Sequence, residues 1–401
     1  MVQTMKYNII FFIKRVIKSI LKITGINTNL IKLMIAHLKG NDYIFNLYNT
    51  KYEKNALIKY IVYPFFNNNR CEKHQNEWQV KEIARLIGVQ GYNVDIVSFD
   101  SPFIKYRNKY DLLLDIVPGT NDVPKNFFND SCKKIAYLTG MNPSIACKNE
   151  DSRLLALKKR RGVLLPRERV ANMLTKDVEK YNAFFFIGNK YNLASYEEFN
   201  LPPVYFMRNN GYTFDKLDLS VKDSRSFVYF ASYGQVHKGL DLLLDVFAQN
   251  DFPCELYICS CVLAEKEFCN CYNQELFSTN NIHTIGFVDV GSEKFWHIMS
   301  KCSYALLPSC SEATAGSVIT CMSAGIIPIV SKECGFEDDE VINLPDCELT
   351  TIHDHIIEYS MKSSEWIKEK AQQVKYIADT NYSKTNFSKF FERSLKSVID
   401  Q

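Results

Sequence analysis

Lys238 and Glu312 are the ionisable residues whose neighbours in the sequence say most about chemistry. Lys238 and Gly239 follow an apolar run (227–231) and a turn of Ser232, Tyr233 and Gly234, and they open an amphipathic segment that extends to 247. Glu312 lies beside Ser311 in a loop of small residues, after an apolar run closed by Pro308. Ala315, Gly316, Ser317 and Thr320 then begin a small-residue helical segment that leads to another apolar run at 326–330. A strand that ends in a Gly or Ser turn and passes into a helix gathers unpaired backbone N–H groups and the positive end of the helix dipole at one spot. One junction adds an ammonium and the other a carboxylate, and the two junctions together suit a nucleotide diphosphate. Phosphate would meet Lys238 and the amides of Ala315, Gly316 and Ser317. Each group has an ordinary alternative: a solvated helix-start lysine for Lys238, and a helix-capping carboxylate for Glu312.

Three further sets of residues are candidates. His74 heads the segment His74-Gln75-Asn76-Glu77 before a helical pattern, where it would either bind ligand or sit idle beside a capping Asn76. His237 adjoins Lys238. The stretch 153–169 holds Arg153, Lys158, Lys159, Arg160, Arg161, Arg167 and Arg169 against the single acid Glu168. Such a run is either a solvated face or, through Arg160 and Arg161, a seat for an anionic acceptor or for lipid headgroups. No aromatics interleave with it in the manner of a base-stacking surface, so nucleic acid is not expected. The chain contains no Asp-x-Asp, the usual holder of a metal that neutralises a diphosphate, and no metal cofactor is expected.

Strands alternating with helices must position these groups. Apolar runs at 56–66, 94–99, 112–117, 134–138, 184–187 and 204–207 read as strands, with a helix at 77–89 and another starting near Asn189. After a polar linker at 215–226 the rhythm repeats, with strands beginning at Phe227, Glu255, Ile282, Tyr304 and Ile326, a helix at 265–277, and a long C-terminal helix at 363–399 broken near Asn381. This order implies βαβ units and parallel sheets, whose ligands bind at the carboxyl ends of strands. At 401 residues, two domains are expected.

Net charge is +3, unevenly spread. Residues 1–40 carry Lys6, Lys14, Arg15, Lys18, Lys22, Lys32 and Lys39 without an acid, so the rest holds 41 basic against 45 acidic residues. On a helical wheel Lys14, Arg15, Lys18 and Lys22 form a stripe opposite an apolar face of Ile9, Phe12, Ile13, Val16 and Ile20, a pattern suited to lying in an anionic membrane surface. The thirteen scattered cysteines, with no recognisable secretory signal, read as free thiols in a reducing cytoplasm. The pairs Cys259/Cys261 and Cys269/Cys271 lack the spacing usual for structural zinc.

The Lys238-Gly239 pair, with Glu312 eight residues before Thr320, resembles the glycosyl transferases group 1 family, which are retaining enzymes of the GT-B fold. In that family the Lys-Gly pair contacts the donor diphosphate, and a Glu-x7-Glu segment contacts donor sugar and ribose. Two positions depart from the pattern: the Arg five residues before the Lys is Tyr233 here, and the second Glu is Thr320. The resemblance implies two doubly wound Rossmann-like domains facing across a cleft. Together with the charge pattern, the expected order is a basic amphipathic helical leader at 1–50, an acceptor-side domain at 51–218, a nucleotide-sugar domain at 219–384, and a helix at 385–401 that crosses back to the first domain. It implies donor contacts from Tyr233, Gly234, His237, Gly239, Ser311, Ala315, Gly316, Ser317 and Thr320, with Lys238, Glu312 and His74 at the reacting centre. The expected protein is a metal-independent hexosyltransferase-like enzyme at the inner face of a bacterial membrane, moving sugar from a nucleotide-diphosphate donor to a lipid-linked or polysaccharide acceptor. Its rivals are an idle GT-B module that binds nucleotide sugar or a partner protein, and an epimerase on the same fold.

Overall fold

A computed structural model describes residues 34–66, 74–104, 106–119, 123–169, 173–215 and 222–401. Residues 1–33 of the leader expected at 1–50 lie outside these residues, while Tyr43 and Ile44 within that range pair with the first sheet. The first domain is built on β1 (Tyr43–Ile44), β2 (Lys54–Tyr60), β3 (Tyr92–Ser98), β4 (Tyr110–Asp115), β5 (Phe128–Leu138), β6 (Ala183–Ile187) and β7 (Val204–Met207). Their order in the sheet is β1-β3-β2-β4-β5-β6-β7, parallel throughout except for β1. Its helices are α1 (Gln75–Val89), α2 (Pro143–Arg161) and α3 (Lys190–Ala194). The second domain carries β8 (Asp223–Phe230), β9 (Glu255–Cys259), β10 (Ile282–Thr284), β11 (Cys302–Leu307), β12 (Ile327–Ser331) and β13 (Ile342–Leu344), all parallel in the order β10-β9-β8-β11-β12-β13. Around this sheet lie α4 (Leu240–Phe247), α5 (Lys266–Cys271), α6 (Asn273–Ser278), α7 (Glu293–Lys301), α8 (Gly316–Ser323), α9 (Leu349–Ser360) and α10 (Ser364–Asn381), and α11 (Lys384–Ile399) closes the chain.

Central strands such as Ala-Phe-Phe-Phe-Ile in β6 and Cys-Ser-Tyr-Ala-Leu-Leu in β11 are buried along their whole length. Helices cover both faces of a parallel sheet, so its strands read as continuous apolar runs. The α10 helix packs Ile367, Val374 and Ala378 into the second core. A break follows, where Ser383 caps α11, and Phe387, Phe391, Leu395 and Val398 then join Val80, Ile83 and Ile87 in the first core. Each of these large side chains is worth roughly 1.5–3 kcal/mol on full burial, enough to tie the tail to the domain it did not come from.

Several expectations are revised. The first strand stops at Tyr60, because Tyr63–Phe65 forms a 3-10 turn with Pro64 at its start. The helix expected at 265–277 divides at Tyr272 into α5 and α6. Residues 223–226 of the expected linker already belong to β8. The basic run is largely the second half of α2, whose Leu154 and Leu157 enter the core of the second domain. All twelve cysteines among the described residues are free. No helix among those residues is long and apolar enough to cross a membrane.

Candidate active site

The turn between β8 and α4 holds two glycines in the left-handed region, Gly234 at φ 86° and Gly239 at φ 79°. A side chain at 239 would place its Cβ 2.3 Å from the carbonyl oxygen of Pro308, so only glycine lets this turn approach the end of β11. The Lys238 N–H donates to Gly234 O, and its side chain runs inward to pair with Glu312. Lys238 is only 5% exposed and so is not the solvated helix-start lysine of the ordinary alternative. Burial alone would push the Glu312 carboxyl up, but the charges of Lys238, Arg169 and His237, with the Lys238 hydrogen bond, hold it at about 2. The cleft therefore contains an ionised carboxylate and an ammonium that satisfy one another.

His237 is a brace. Its Nδ1 stands 3.1 Å from Glu150 Oε2 and its Nε2 2.6 Å from Ser311 O, and its own carbonyl accepts from Cys310 N and Ser309 Oγ. The ring nitrogens of His237 and the carbonyl of Ser311, two of the residues expected at the donor, are thus engaged in a clamp between the β8–α4 turn, the loop after β11, and α2. The Gly234 amide is also committed. Glu265 accepts from the N–H of Gly234 (2.6 Å) and of Gln235 (3.1 Å), so neither of these two amides is open to an anion. Tyr233, 53% exposed, stands at the rim.

At α8 the expectation divides. The Ala315 N–H donates to Cys334 O and is lost to a ligand, whereas those of Gly316 and Ser317 have no acceptor among the described residues. The Thr320 hydroxyl donates back to Gly316 O at 2.9 Å, one turn earlier, and the residue lines the cleft. On the opposite wall His74 caps α1, its Nδ1 accepting from Asn76 N at 3.2 Å, so the histidine itself is the cap that Asn76 was expected to supply. Crowding lowers its pKa, Lys238 and Arg169 lower it further, and Glu77 opposes them. A neutral ring whose Nδ1 accepts carries its proton on Nε2.

The two walls touch. Gln75 Nε2 donates to Gly316 O (2.8 Å) and Asn209 Nδ2 to Thr314 O (2.7 Å). Between them lies a cleft of about 670 Å³, lined by His74, Lys238, Glu312, Gly316, Ser317 and Thr320 among others. A neighbouring cavity of about 490 Å³ shares Thr139, Arg169, Glu312 and Ala313 with it. Arg160 and Arg161 are absent from both. Arg160 pairs with Asp241 and Asp245 at 2.6 and 2.7 Å, and Arg161 with Asp245 and, at 2.6 Å, Glu275. Three carboxylates of the second domain neutralise the pair, which is an interdomain fastening and not the anion seat expected of it. Sequence reasoning missed Gln75 and Asn209, whose polar side chains carry no spacing signal. It also left Arg169 undistinguished within the basic run.

Residues 214–376 match the glycosyl transferases group 1 family profile. The fold is similar to that of sucrose-phosphate synthase from Thermosynechococcus elongatus (10% identity, TM-score 0.55, 86% of this chain and 99% of that one). It is also similar to HepE of Anabaena, solved with UDP-glucose (12%, TM-score 0.51, 86% and 99%). A third likeness is to TarM of S. aureus, solved in complex with Fondaparinux, alpha-GlcNAc-glycerol and UDP (12%, TM-score 0.50, 73% and 56%), so the chain spans about half the length of that relative. No curated protein matches the chain. With two parallel-sheet domains around one cleft, the chain has the GT-B fold, and most of its second domain matches the glycosyl transferases group 1 family.

Proposed function

We propose that the chain transfers a sugar from a nucleotide-diphosphate donor to an acceptor hydroxyl, with retention and without a metal. The observation that carries this reading is the Lys238–Glu312 pair on the floor of the interdomain cleft, beside the open amides of Gly316 and Ser317. Phosphate oxygens would take over Lys238 and those two amides, which supply the positive charge that an Asp-x-Asp-bound metal supplies elsewhere. Glu312, released from Lys238, would accept hydrogen bonds from sugar hydroxyls, and the Nε2–H of His74 would donate from the other wall. The bond from the anomeric carbon to the departing phosphate breaks as the acceptor oxygen attacks from the same face, and that phosphate takes the acceptor's proton. The UDP-glucose in HepE and the UDP in TarM support a nucleotide-linked donor. A lipid-linked surface polysaccharide as acceptor, at the inner face of the cell membrane, rests on the basic amphipathic leader. Failure of the wild type to sediment with anionic vesicles at low salt would remove that membrane placement.

The decisive assay incubates purified protein with a panel of nucleotide sugars, with and without acceptor and chelator. The expected result is diphosphate release that acceptor accelerates and chelator leaves unchanged. Glu265 on the Gly234 and Gln235 amides, and the back-bonded Thr320, favour a second reading, an idle module that binds nucleotide sugar. Tight donor binding without release in any arm would select it.

A further inference from the structure

The loop after α2 returns to the cleft and ends its described course at Arg169. Of the arginines in the basic run, Arg153 donates to Pro308 O, Arg160 and Arg161 are bound by carboxylates, and Arg167 pairs with Asp151. The guanidinium of Arg169 has no hydrogen-bond or ion-pair partner among the described residues, although it lines both cavities. Its backbone is nonetheless held. Glu150 Oε1 accepts from the N–H of Glu168 (3.2 Å) and of Arg169 (3.3 Å), while Oε2 of the same carboxylate faces His237. One buried carboxylate thus joins the Arg169 loop to the turn that carries Lys238.

The side chain then crosses that turn. A Cβ on Gly234 would lie 2.8 Å from Arg169 Cγ and 3.0 Å from Cδ, so the missing side chain at 234 is the space the arginine stem occupies. Gly234 is the residue whose carbonyl binds the Lys238 N–H, and its neighbour is Tyr233, where the sequence departs from an arginine. We propose that Arg169, contributed by the first domain, is the second cation on the donor diphosphate and takes over the charge that Tyr233 does not provide. Its influence on Glu312 and His74 shows that its charge reaches the cleft. An unpaired guanidinium is suited to bidentate contact with a phosphate. The assignment rests on the proposed transferase reading. It adds that phosphate contacts come from both domains, so that diphosphate itself links them.

Calorimetric titration of the full-length chain with UDP, GDP and ADP, and with the corresponding nucleosides, tests it. Taking the best-bound diphosphate, Arg169→Ala is expected to weaken affinity at least tenfold and Arg169→Lys less than that, with nucleoside affinity unchanged. Adding Tyr233→Arg to Arg169→Ala is expected to recover at least half of the lost affinity on a logarithmic scale. Diphosphate affinity of Arg169→Ala within twofold of wild type overturns the assignment, as does an equal loss for diphosphate and nucleoside, which marks a merely structural role. No recovery with Tyr233→Arg refutes the exchange of charge between the two positions. A wild type that binds none of the three diphosphates sinks the transferase reading together with this one. A wild type that binds while Arg169→Ala binds equally well sinks this one alone.

Discussion

Replacing Lys238 with alanine leaves Glu312 in the cleft wall without the cation paired to it. Breaking one side of a buried ion pair costs about 3–5 kcal/mol. Glu312 keeps 14% of its side chain exposed and the fields of Arg169 and His237, so a loss of about 2–3 kcal/mol of unfolding free energy at pH 7 is expected. The sign with pH follows from the depressed carboxyl. In the wild type the Glu312 contribution is present above the ordinary 4.5 and is lost as pH falls toward about 2. In Lys238→Ala the carboxyl titrates higher, so the gap between the two proteins should narrow as pH falls from 5 to 2. Catalysis reports a separate quantity, the charge-assisted contact to the leaving diphosphate, worth about 2–4 kcal/mol or roughly 30- to 1000-fold in kcat/KM. The double variant Lys238→Ala/Glu312→Gln tells the two apart. With both charges gone, denaturant unfolding should return to within about 1 kcal/mol of wild type, while turnover stays low. If Lys238→Ala keeps turnover within threefold, Lys238 does not touch the diphosphate. If the double variant is as unstable as the single one, the ion pair is not what the mutation damages.

Other perturbations test the frame around that pair. Gly239→Ala combines a φ of 79° with a backbone clash at Pro308 O, so denaturation should report a loss of about 2–4 kcal/mol; an unchanged midpoint would mean the turn is not pinned against β11. Burial pushes Asp241 up to about 6 against the pull of Arg153 and Arg160, so its contribution to stability is lost as pH rises through 6. Arg160→Ala should push that carboxyl higher still, costing about 2–4 kcal/mol at pH 8 and less at pH 5, with diphosphate affinity intact. Loss of affinity with unchanged unfolding would restore Arg160 as an anion contact. Thr320→Glu should bind nucleotide diphosphate at least as tightly as wild type in titration calorimetry; a clear loss in a folded variant would mean that this face of α8 does not address the ribose.

The fold was legible because its two sheets bury continuous apolar strands, and such runs leave a mark that polar wrapping does not erase. The α2 helix was not read from the sequence, although its boundary signals are present, because its charge hid it. Asn142 caps it, Pro143 stands at its first position, and Gly162 closes it in the left-handed region. Its basic residues suggested a surface, but a surface between domains is where opposite charge on the other chain segment is invisible to spacing. Asp241 and Asp245 lie 81 to 85 residues from the arginines they bind. The candidate site divides along the same line. Lys238, Glu312 and the start of α8 are set by local strand-to-helix junctions, so motif and spacing locate them. Whether an amide at such a junction is free depends on distant partners: Glu265 for Gly234 and Cys334 for Ala315. A junction therefore marks where an anion can be held, and the tertiary fold decides which of its donors remain to hold it. Here that selection leaves Lys238, Gly316 and Ser317 from one domain and Arg169, unpaired among the described residues, from the other, and the proposed diphosphate site would lie between the two.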